Sequence, residues 1–145
     1  MIVFGGHEHG RRISERAGTI YNPAADQVIA RVEDGELIGG VTYTGYTGAS
    51  IHMHMAGFKE GWANRMMLWV GFDYPFNQLG CNKVFGQVPE SNASALEIDL
   101  KLGFKIEAKI EGVFPDGACY VLALAREDCR WLKMKPPNLV AGLQR

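Results

Sequence analysis

Residues 50–104 read SIHMHMAGFKEGWANRMMLWVGFDYPFNQLGCNKVFGQVPESNASALEIDLKLGF, and their order decides the fold. Ser50 to Ala56 reads as a strand, Gly57 to Gly61 as a glycine-punctuated loop, and Trp62 to Leu79 as a long apolar helix. Lys83 to Val88 is a second strand, and Asn92 to Leu102 a short helix that stops at Gly103. Two strands joined by a helix over about 30 residues make a right-handed crossover, which sets the strands parallel. The loop after the first strand brings free backbone N–H groups to a helix N-terminus, where anions bind.

Outward from this unit the pattern is antiparallel. Met1 to Phe4 reads as a short edge strand, and Arg11 to Ala17 as a short polar helix stopped by Gly18. Gln27 to Val32 and Leu37 to Tyr46 flank Asp34-Gly35, a two-residue hairpin signal. Phe104 to Phe114 and Ala118 to Ala125 form a closing hairpin across Pro115-Asp116-Gly117. Pro75, inside the long helix, predicts a kink or break near Asp73 to Tyr74, because proline lacks the N–H that would bond one turn back. Asn92 is the expected cap of the second helix, with Ser91 and Ser94 as neighbouring alternatives. The whole reads as an α+β chain: a mixed, mostly antiparallel sheet with one β-α-β crossover and helices on its faces. A single domain over residues 1–135 and a tail over 136–145 are expected, with Pro136-Pro137 ending the packing.

The 145 residues, 47% hydrophobic and 21% charged, suit one globular domain with a core. A formal net charge of −1 argues against a protein built to grip nucleic acid. Cys81, Cys119 and Cys129 are odd in number and lack CxxC spacing, so a reducing cytoplasm is expected rather than a disulfide framework or zinc cluster. The apolar run in MIVFGGHEHGRR is three residues long, so no signal peptide or membrane span is expected.

Two further segments carry a resemblance. NASALEIDLKLGFKIEAKIEGVF, residues 92–114, places Asn92, a short helix, Gly103-Phe104 and a strand running into Glu111-Gly112. FKEGWA, residues 58–63, stands before the long helix. Together with YPFNQLGCNKVFGQV (74–88) and REDCRWL (126–132), they make the chain resemble the GNAT superfamily of acetyl-CoA-dependent N-acetyltransferases over roughly residues 27–132. The resemblance is nearest to the branch that acetylates ribosomal-protein N-termini. The family's usual pair of N-terminal helices is expected to be shortened or absent, since 26 residues precede Gln27.

The resemblance implies acetyl-CoA as co-substrate and direct attack by an amine. Phe58, Lys59, Glu60, Gly61, Trp62 and Ala63 would form the pyrophosphate loop, its N–H groups facing the phosphates. The backbone of Met53 and Met55 would pair with the pantetheine arm as an added strand. Asn92 would hydrogen-bond the same arm, with Ala95 beside it. The sequence departs from the family's pattern at three points. Phe58 replaces the usual Gln or Arg. Gln87 stands where a Glu base is usual, and Asp99 where a Tyr acid is usual. Proton removal would then pass through water or through His52 or His54. A GNAT-fold module that binds CoA or a protein without chemistry is the competing reading, favoured by Gln87 and Asp99. A plain interaction module dimerising through the apolar helix is a third. The acceptor, a protein N-terminus, a lysine or a small amine, is open.

His52 and His54 lie two apart and share one strand face. They are read as structural, substrate-facing or metal-binding, but no third ligand is evident; His7-Glu8-His9 is a weaker metal candidate. The three cysteines are read as small buried hydrophobes. The helix aromatics are read as core, with a homodimer face as the alternative, and Arg11, Arg12 and Arg16 as a solvated face.

Overall fold

A computed structural model describes residues 1–136; residues 137–145, most of the expected tail, lie outside the described residues. Strands β1 (Ile2–Phe4), β2 (Gln27–Glu33), β3 (Glu36–Thr44), β4 (Ser50–Gly57), β5 (Lys83–Pro89), β6 (Lys105–Phe114) and β7 (Gly117–Ala125) form one sheet in the order β1-β2-β3-β4-β5-β7-β6. Every pairing is antiparallel except β4 with β5. At the β2–β3 hairpin Asp34 and Gly35 take φ of 51° and 77°, the left-handed pair that a two-residue turn requires.

The first helix, α1 (His7–Ala17), starts four residues before the sequence predicts. Gly10 lowers local propensity, but the Tyr21 ring lies where a side chain at Gly10 would be, so packing outweighs the glycine. Helix α1 sends Ile13 against Val28, Ala30, Leu37 and Ala56. Ile29, Val41, Tyr43, Ile51 and Met53 face the other way, into the main core with Val70, Phe72, Phe76, Leu122 and Leu124, and the register shift between Arg31 and Val32 is what puts Leu37 on the α1 face. The sheet is therefore sandwiched, with α1 on one face and α2 (Arg65–Asp73) and α3 (Ala93–Leu102) on the other.

The long helix differs from expectation at both ends. It begins at Arg65, not Trp62, because the Asn64 side chain accepts from the Met67 N–H at 2.9 Å and closes the first turn. At Tyr74 it widens into a π-helical turn, Tyr74–Gln78, as Pro75 predicts; Leu79 N–H reaches back to Tyr74 O at 3.0 Å. Met67, Trp69, Val70 and Phe72 are buried in the chain's own core.

Candidate active site

Strands β4 and β5 pair only over Ser50–His52 and Lys83–Phe85. Beyond that they part, and Met53–Gly57 and Gly86–Pro89 make no bonds to each other. The opposite neighbours hold both strands straight: β3 pairs with β4 as far as Gly57, and β7 with β5 as far as Pro89. The gap is thus a fixed slot with unpaired strand backbone on either side. A groove of about 560 Å³ runs through it. Its walls include Met53, His54 and Met55 from β4, Gly86 and Gln87 from β5, and Asn92, Ala95 and Asp99 from α3 and its cap, with Phe58, Lys59, Glu60 and Trp62 at the loop end.

The loop is held by contacts distant in sequence. Gly39 and Gly57 are register partners on β3 and β4, and the Trp62 indole fills the notch they leave; a Cβ at either would overlap it. Arg31 Nη1 donates to Gly61 O at 2.8 Å and to Trp62 O at 2.7 Å, while Nη2 donates to Glu33 Oε1 at 2.6 Å. Arg31 thereby neutralises carbonyl oxygens that would repel an anion at the loop. Gly61, at φ 78°, makes the turn. Phe58 N–H donates to Ile38 O and Trp62 N–H to Lys59 O, so two of the loop's amides are already engaged. The N–H groups of Lys59, Glu60 and Gly61 make no hydrogen bond to another described residue. The unpaired amides thus belong to a turn that precedes the helix, not to the capped helix end. Gly61 and Ala63 border an adjoining cavity of about 400 Å³ with Trp62, Ala95, Asp99 and Leu102.

Phe58 supplies no polar contact of its own. Its ring lies under Arg12 and Arg16, 5.1 Å and 6.0 Å from the guanidinium carbons, and Arg16 lines the groove. Arg12 and Arg16, read as part of a solvated face, therefore add cations beside Phe58 to the one that Lys59 brings to the loop. The spacing along α1 holds no hint of this, because Phe58 lies more than forty residues farther along the chain, just past the central strand β4.

The two histidines separate in role. His54 reaches the groove, and its Nε2 lies 3.0 Å from Thr44 Oγ1. Burial first, and the neighbouring His52 second, push its pKa below the ordinary value, with Asp26 opposing. His52 packs on Phe85, ring centroids 5.4 Å apart, and does not line the groove. Asp99 lies on the opposite side of the slot: a Cβ added to Gly86 would sit 3.8 Å from its Oδ2. Burial pushes its carboxyl up to about 6. Gln87 lines the groove and cannot accept a proton at neutral pH. Asn92 caps α3, its Oδ1 accepting from Ala95 N–H at 3.2 Å, which leaves its amide NH₂ unengaged among the described residues. Among the described residues no three metal-ligating side chains cluster. None of the described helices is long and apolar enough to cross a membrane.

No family profile matches the sequence, and no curated protein matches it either. Solved structures do match. The chain is similar to the spermidine/spermine N-acetyltransferase SpeG from Vibrio cholerae (TM-score 0.69, 16% identity, covering 94% of this chain and 99% of that one). It is similar to the acetyltransferase of the GNAT family from Bacillus anthracis (TM-score 0.61, 11% identity, 87% and 95%). It is also similar to the Campylobacter jejuni N-acetyltransferase PseH in complex with acetyl coenzyme A (TM-score 0.56, 18% identity, 71% and 70%). The chain has the GNAT fold.

Proposed function

We propose that this chain is an N-acetyltransferase that moves the acetyl group of acetyl-CoA to an amine. The observation that carries the reading is the slot between β4 and β5, open beyond His52 and ending at a loop whose Lys59, Glu60 and Gly61 amides have no partner among the described residues. Free strand edges suit an extended amide-bearing arm, and clustered amides beside Arg16 and Lys59 suit a pyrophosphate. The neighbours' activities support the same reading. Spermidine, named for one of them, is not carried over, because 16% identity shows the fold alone.

Bound acetyl-CoA supplies an activated acyl thioester. A neutral amine nitrogen attacks its carbonyl carbon; the C–N bond forms and the C–S bond breaks. The amine gives up one proton and the departing sulfur gains one, so acetyl-CoA and the amine become the amide and free CoA. His54, kept neutral by burial, is the base on the α1 side of the sheet. Asp99 is the acid on the α3 side. A carboxyl with a pKa near 6 retains a proton far more often than an ordinary aspartate, so it takes the role usual for tyrosine. Gln87 contributes hydrogen bonding, not proton transfer. Residues 1–135 act as one domain, and three free, buried thiols suit a reducing cytoplasm. Kinship with the ribosomal-protein N-terminal branch rests on the Asn92–Phe114 segment.

Acetyl-CoA must raise the melting temperature, since it binds the folded state only. Thiol release should then follow addition of an amine, and Asp99→Ala should lower kcat by about 10²-fold. No melting shift at millimolar acetyl-CoA overturns the proposal. A shift without thiol release over a broad amine panel leaves a CoA-binding module, the reading that Gln87 favours.

A further inference from the structure

The slot has a second mouth. On the α1 side, His54, Gln87, Ala17 and Pro89 border both the main groove and a smaller cavity of about 270 Å³. Its remaining walls are Gly18, Thr19 and Ile20, from the turn after α1, and Phe114 from the end of β6. The eight lining residues include no Asp, Glu, Lys or Arg. The carboxylate that His54 feels, Asp26, lies outside this wall and accepts from Asn22 N–H at 2.7 Å. Thr19 and Ile20 continue into an outer cavity that also carries Arg11 and Glu15, opposite charges one helical turn apart.

We propose that this uncharged cavity beside His54 is the acceptor site, and that it takes a small primary amine on an apolar, otherwise uncharged body rather than a polyamine. The inference rests on the acyl-transfer reading and narrows its substrate class. The amine nitrogen must reach the thioester through the shared opening between His54 and Gln87. Whatever carries that nitrogen then occupies the cavity. A second ammonium there would lose part of its hydration and find no carboxylate to replace it. Farther out, the same ammonium would meet Arg11 as readily as Glu15. An apolar body instead covers Ala17, Ile20, Pro89 and Phe114, and Ile20, 88% exposed, would lose contact with water. The reaction is the one already balanced: the C–N bond forms, the C–S bond breaks, and the amine's proton leaves by His54.

The test compares kcat/KM for benzylamine and isobutylamine with that for spermidine, by thiol release at saturating acetyl-CoA. At least one monoamine is expected to exceed spermidine by about tenfold or more. Ile20→Asp, at an exposed position, should raise spermidine turnover severalfold and shrink that ratio. Spermidine turned over as well as both monoamines, or thiol release with none of the three, overturns the inference. The acetyl-CoA melting shift, measured in parallel, separates the two failures: if it persists, the site for acetyl-CoA stands and only the acceptor class falls.

Discussion

Helices α2 and α3 lie on the same face of the sheet and are nine and ten residues long, yet six residues of α2 are buried and none of α3 is. Helix α2 lies over closed ladder, packing among Val41, Tyr43 and Met53, and Tyr43 Oη donates to Gly71 O at 2.6 Å. Helix α3 lies over the slot, so the sheet beneath it is missing. It is held at its ends: Asn92 caps the first turn, Gly103 closes the last in left-handed conformation, and Trp131 Nε1 donates to Leu102 O at 2.8 Å. The difference teaches where the molecule stores its stability and where it leaves room. A groove has to be walled by something that is not core, and α3 is that wall. Strand β6 at the far edge is exposed along nearly all its length, which fits the same division.

The largest expected effect tests the contrast directly. Phe72→Ala should cost about 3–5 kcal/mol in urea unfolding, because it empties the core beneath α2. Ile98→Ala, 58% exposed on α3, should stay within about 0.5 kcal/mol without ligand. Similar costs would erase the distinction. Gly39→Leu removes the notch that holds the Trp62 indole and should weaken acetyl-CoA binding about tenfold or more by calorimetric titration. An unchanged affinity would detach the loop from its anchor. Acetyl-CoA should slow amide hydrogen exchange in α3 more than in α2, since ligand supplies the packing that α3 lacks. Equal protection would show that α3 needs no completion.

The smallest effect concerns Asp99. Its folded pKa of about 6 lies above the ordinary carboxylate value of 3.8. Between those values the native state holds a proton that the unfolded state has lost, so stability falls as pH rises through that window. Above it, the native state carries the cost of a partly buried carboxylate. Asp99→Asn should therefore raise the melting temperature by about 2–4 °C at pH 7.5 and leave it unchanged at pH 4. A shift of equal size at both pH values would show that charge is not the cause.

Much of the fold is legible from short-range chemistry. Asp34-Gly35, Pro75, Asn92 and Gly103 each act through their own φ, missing N–H or side-chain oxygen, and each marks a boundary found in the structure. The start of α2 was less legible. Trp62 extends the apolar pattern, but its ring is occupied in the Gly39–Gly57 notch, and Asn64, two residues later, makes the cap. The adjacent glycines Gly39-Gly40 were a signal of close approach whose partner no local pattern names.

The amino-acid order alone determined the succession of strands and helices, the parallel crossover and the glycine turn ahead of Trp62, because periodicity and turn chemistry act within a few residues. Tertiary structure decided where β4 and β5 separate, since each follows its outer neighbour in the sheet. It also decided that His54 lines the groove while His52 packs on Phe85, and that Arg31 reaches across to the loop at Gly61. Burial then set the proton affinity of Asp99, a property of the water excluded around a carboxyl and not of the carboxyl itself.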